Sequence, residues 1–105
     1  MEDRKEIINI FKKTAKTFFP DCRVLLFGSQ ARQDANEGSD YDFLIITKKR
    51  TPDSKKMYYK AQIRKAMAKN KIAVDVFLHS EDEVEAKREL PGHIIREIVR
   101  EGVLI

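Results

Sequence analysis

Three short apolar runs constrain this chain most: "RVLLF" (23–27), "YDFLIIT" (41–47) and "IAVDVFL" (72–78). Each has the length and β-branched or aromatic content of a strand with a buried face. Between and around them lie segments of helical periodicity. Ile7, Phe11, Ala15 and Phe18 predict an amphipathic helix over 3–19, with Asp3 as cap and Pro20 as terminator. Thr51 and Pro52 predict the start of a helix running to about Asn70. Ser80 predicts the cap of a helix over 80–90 that Pro91 breaks, and its acids suit a helix N-terminus. A last amphipathic helix over 93–102 is closed by Gly102, with Ile94, Ile95, Ile98 and Val99 as core residues. Alternation of strand and helix predicts an α/β (α+β) class, a small mixed sheet with helices packed on it. At 105 residues the chain is expected to be one domain, 1–105, able to bury a real core.

The first run stops at Gly28-Ser29, and the second opens on Asp40 and Asp42. Residues two apart on a strand share a face, so both carboxylates point the same way, opposite Tyr41 and Phe43. Two unit charges about 4 Å apart repel by roughly 4 kcal/mol at an effective dielectric near 20. A divalent cation turns that repulsion into coordination, and hard oxygen ligands suit magnesium or manganese. The plainer alternative makes Asp40 a turn cap and Asp42 an exposed edge residue. Asp75, flanked by Val74 and Val76 in the third run, tips the balance. A carboxylate inside such a strand needs a cation partner, either a lysine or a metal. Gly28 lets the backbone turn sharply and approach a ligand. Ser29 opens a short helix, 29–35, before "NEGS" turns the chain; its free N–H groups, with Arg32 one turn on, suit a phosphate. If Gly28 and Asp40 serve one site, strands one and two are antiparallel. The long helix then allows strand three to run parallel to strand two.

Gly28-Ser29-Gln30-Ala31-Arg32, then Ser39-Asp40-Tyr41-Asp42, then Val74-Asp75-Val76 resembles the minimal nucleotidyltransferase (MNT) family of the DNA polymerase beta-like superfamily. The likeness covers nearly the whole chain, including "REIVREGVLI". It departs at Gln33, where the family often has glycine. The resemblance implies that Asp40, Asp42 and Asp75 are catalytic and hold two Mg2+ ions (Mn2+ being the substitute). It implies that Gly28 and Ser29 bind the triphosphate of ATP, joined here by Arg32. It further implies AMP transfer to a tyrosine of a HEPN-domain ribonuclease toxin, with the chain as antitoxin. Two other readings stay open: a non-catalytic antitoxin that masks its toxin, and a nucleotidyltransferase acting on RNA or a small molecule.

Composition adds bounds. Cys22 is the single cysteine and reads as a small buried apolar residue, so the expected compartment is the reducing cytoplasm. No stretch approaches the roughly 18 apolar residues of a membrane span, and "MEDRKE" is unlike a secretory start. His79 and His93 lack metal-ligand spacing and are expected at the surface or at caps. The net charge of +4 is concentrated in 48–71, where ten Lys and Arg meet one acid, Asp53. That run is either a solvated helix face or a docking surface for an acidic partner or RNA; Tyr58 and Tyr59 lie within it, without the regular aromatic–basic interleaving of a single-strand binder. Nucleic-acid binding and oligomeric state are left open.

Overall fold

The computed structural model describes residues 4–32 and 40–105. Helix α1 (Arg4–Phe18) leads into β1 (Arg23–Phe27), α2 (Gly28–Arg32), β2 (Tyr41–Thr47), α3 (Asp53–Lys69), β3 (Val74–Ser80), α4 (Glu81–Lys87), α5 (Ile94–Glu101) and β4 (Val103–Leu104). The four strands form one sheet in the order β3-β2-β1-β4. β1 and β2 are antiparallel, as the shared-site argument requires, and β2 and β3 are parallel, as the long connecting helix allows.

β2 is the central strand and is buried on both faces. Tyr41, Phe43 and Ile45 join Val24, Leu26, Val76 and Leu78 under α1 and α3. There Phe11 of α1 stacks on Phe43, with ring centroids 3.8 Å apart. Leu44 and Ile46 face the other way, against Val84, Ile95 and Ile98 of α4 and α5, with Val99 packed beside them, whereas Ile94, expected in the core, is exposed at the start of α5. The sheet is thus a middle layer between two pairs of helices. The continuous run "FLII" reflects this double burial, as it does in other covered strands.

Four expectations shift. β3 starts at Val74, not at residue 72. The N–H of Ile72 bonds Met67 O at 3.1 Å in the turn that ends α3, where Lys71 takes φ 61°, so Ile72 is unavailable to the sheet. Thr51 does not cap α3. Pro52 is the residue before the helix, at φ −56° and ψ 142°, and no side chain caps it. Thr51 is buried instead. α4 ends at Lys87, where successive turns through Leu90 and the left-handed Gly92 (φ 78°) redirect the chain. Finally, the residues after Gly102 form a strand that the sequence pattern does not announce. Val103 pairs with Leu26 and Leu104 with Leu25. Gly102 itself is extended, and a Cβ there would press on the α5 carbonyl Ile98 O at 2.5 Å, so the tight exit from α5 into β4 favours glycine. Asp3, the end of the helix predicted over 29–35, Gln33 and the "NEGS" turn lie outside the described residues.

Candidate active site

The end of β1 and the beginnings of β2 and β3 meet at one edge of the sheet. Asp42 is level with Phe27 on one side and with Asp75 on the other. It lies on the face of Leu44 and Ile46, where Phe27 and Phe77 meet edge to face at 5.4 Å. An apolar floor therefore lies beside the carboxylates. Asp42 is half-buried, while Asp40 and Asp75 are exposed. Asp75 is consequently not the interior carboxylate that its valine neighbours imply. Because β3 begins at Val74, Asp75 is the second residue of the strand and opens to solvent.

Burial raises the Asp42 pKa above the ordinary carboxylate range. The charges of Asp75 and Asp40 push the same way, Arg32 opposes them, and a hydrogen bond with Asp75 adds to the rise. Asp42 and Asp75 are thus a coupled pair, with Asp40 close enough to be felt. Among the described residues no three carboxylates converge tightly enough by themselves to hold a metal ion.

Gly28 takes φ 75°, a left-handed conformation that favours glycine, and any Cβ there would overlap Asp42 Oδ2. The Gly-Ser turn and the carboxylate pair therefore form one construction, held in contact by the absence of a side chain. Ser29 is half-buried in the first turn of α2. Arg32 ends α2, is exposed, and lies 3.6 Å from Glu101 at the end of α5. Sequence reasoning alone does not place Glu101 in the site. Its only signal is the "REG" closing α5, which does not reveal which element the acid will face.

The donor chemistry fits a hard divalent cation. Magnesium commonly takes one or two carboxylates and completes its shell with water and substrate phosphate oxygens. A pair such as Asp42 and Asp75, with a backbone turn free to approach a phosphate beside it, matches that division of ligands.

The histidines separate. His93 caps α5, its Nδ1 accepting the Ile95 N–H at 3.0 Å. His79 is no surface residue: it is half-buried near the opposite edge, and burial lowers its pKa. Cys22 is buried, and burial raises its thiol pKa, as expected of a packing residue.

The sequence profile of the nucleotidyltransferase domain family matches residues 5–105, and the chain belongs to that family. One curated relative is named "Putative protein adenylyltransferase MJ0141", from Methanocaldococcus jannaschii. It is 53% identical over 45 residues, which cover 41% of this chain and 46% of the relative, so the match spans less than half of either protein. Among solved structures, a toxin–antitoxin with AMP-PNP superposes with a TM-score of 0.66 at 16% identity, over 91% of this chain and 69% of the other. A nucleotidyltransferase structure from Sulfolobus solfataricus gives 0.60 at 24% identity, covering 93% and 80%. A mutant of the toxin–antitoxin MntA-HpeT gives 0.60 at 15%, covering 98% and 71%. At these identities the superpositions establish a shared mixed α/β fold and nothing beyond it.

Proposed function

We propose that the chain transfers AMP from ATP to a tyrosine hydroxyl of a partner HEPN-domain toxin, silencing it as an antitoxin. One observation carries the reading: Asp42 is held level with Asp75 and against a left-handed Gly28 that leaves no room for a side chain. A chain under pressure for stability alone gains nothing from pairing two carboxylates there. The curated relative's name and the toxin–antitoxin neighbours support the choice of acceptor class.

In this reading the acceptor oxygen bonds to the α-phosphorus, the bond to the β-phosphate bridging oxygen breaks, and pyrophosphate leaves. Asp40, Asp42 and Asp75 would hold two Mg2+ ions, which when bound stabilise charge on the entering and leaving oxygens. Asp75 takes up the acceptor hydroxyl's proton. The Gly28-Ser29 backbone, the Ser29 hydroxyl and Arg32 hold the β- and γ-phosphates. Arg32 must exchange some of its contact with Glu101 for phosphate oxygens to do so.

Mass spectrometry tests this on the protein encoded beside this chain, after incubation with the chain, ATP and magnesium. The expected result is a gain of one or more AMP masses on a tyrosine. Transfer at an undiminished rate by an Asp40→Asn, Asp42→Asn variant would refute the assignment.

A further inference from the structure

The opposite edge of the sheet carries a second, chemically different surface. From Asp42 to Thr47 the chain runs along roughly 17 Å of strand, so this surface is well removed from the carboxylates. A concavity of about 530 Å³ opens there between the α1–β1 loop, the β2–α3 loop and the start of α3. Its cationic lining is Lys48, Lys49, Arg50 and Lys55, all exposed, against one acid, Asp21. Residues 48–71 hold ten of the chain's 21 Lys and Arg and one of its 17 Asp and Glu. The remainder of the molecule is therefore net acidic, and the positive charge is concentrated rather than spread.

Aromatic rings are built into the same place. Tyr59 lines the concavity and packs edge-on against Phe19 at 5.0 Å and Phe18 at 6.1 Å. Tyr58 leans on Tyr59 at 5.5 Å yet is 58% exposed. A tyrosine left that open beside a cluster of rings offers aromatic surface on which a base could stack. Farther along α3, Lys65 and Lys69 follow Tyr58 at helical spacing and are exposed.

We propose that this face docks single-stranded RNA, with lysines on the phosphates and a base on Tyr58. Two arguments select that occupant. The surface is dominated by lysine, which protein–protein interfaces disfavour and phosphate backbones attract. The aromatic platform rewards a base that is free to unstack, which a duplex does not offer. The bound strand tethers the protein while the carboxylate edge at the other end of β2 stays open to nucleotide and acceptor. The inference is independent of the transfer reaction, since neither ATP nor any aspartate of the first edge takes part.

Fluorescence anisotropy with a labelled twelve-residue oligouridine, without nucleotide, tests it. The full chain is expected to bind with affinity falling steeply as salt rises. Lys48→Gln, Lys49→Gln, Lys55→Gln together should weaken binding at least tenfold and reduce the log–log salt slope by about 2, at roughly 0.7 for each phosphate left without its lysine. Tyr58→Ala should weaken it about tenfold with the slope unchanged. No binding at 50 mM salt, or equal affinity of the triple variant, overturns the proposal. So does tighter binding of a duplex, or polyglutamate of equal charge competing as well as RNA, which would assign the face to an acidic protein.

Discussion

The two ends of the sheet treat a carboxylate in opposite ways. At the first, Asp42 faces Asp75 and Asp40, and its pKa is raised by burial and by those charges. At the second, Glu83 is 6% exposed but richly partnered. Its Oε2 accepts from Lys56 Nζ at 2.8 Å, with Arg50 at 3.9 Å and His79 Nδ1 at 3.7 Å. Its Oε1 accepts the Ser80 N–H while the Glu83 N–H bonds Ser80 Oγ, a reciprocal capping box. Burial pushes the Glu83 pKa up, but the Lys56 and Ser80 hydrogen bonds and the Lys56 and His79 charges overcome it, leaving it at about 2. Glu83 shows how this fold satisfies an acid that only has to be stable. Asp42 instead faces two like charges, opposed by Arg32, an arrangement that suits a positively charged ligand better than it suits stability.

The contrast can be broken at either end. The largest effect expected is on transfer: Asp40→Asn with Asp42→Asn should lower the rate by roughly a thousandfold, matching several kcal/mol of lost charge stabilisation. Label transfer from α-labelled ATP reads it, and circular dichroism should show the fold intact. Next, Glu83→Ala leaves Lys56 without its buried partner and should cost about 3–5 kcal/mol in chemical denaturation. The pH dependence sharpens the same point. Because the folded pKa of Glu83 lies below its unfolded value, its contribution is fully present above about 4.5 and is lost as pH falls through about 2. Unfolding measured across that window should lose on the order of 3 kcal/mol, and Glu83→Gln should remove that portion of the loss. Smallest is Asp42→Asn, which should stabilise the metal-free protein at pH 7 by about 1 kcal/mol, the repulsion of two charges 4 Å apart in water. The sign is opposite to that of Glu83. A raised pKa disfavours the ionised folded state, so the gain should vanish at low pH, where Asp42 is protonated whether folded or not.

Much of the frame was legible because it rests on local pattern. The three apolar runs became the three main strands, and the spacing of Ile7, Phe11 and Ala15 became the buried stripe of α1. The strand directions followed from requiring Gly28 and the aspartates to share an edge. What escaped depends on contacts between distant segments. β4 is two residues long and too short to show any period, so only its pairing with Leu25 and Leu26 reveals it. Glu83 reads in sequence as one of three acids in a first turn, and nothing nearby in the chain says that Lys56 will reach it. Arg32 reads as a phosphate fork, whereas Glu101 becomes its neighbour only once α5 folds against α2. At the candidate site, residue types and spacing singled out the aspartates, and the sheet sets Asp42 level with Asp75. The packing of Gly28 against Asp42 Oδ2 is a three-dimensional fact.

The most direct test of the carboxylate edge is a count of bound manganese by electron paramagnetic resonance, in the presence of a nonhydrolysable ATP analogue. Two ions per wild-type chain, and none tightly held after Asp42→Asn with Asp75→Asn, is the result this account predicts. Equal manganese binding by the wild type and the double variant would contradict it.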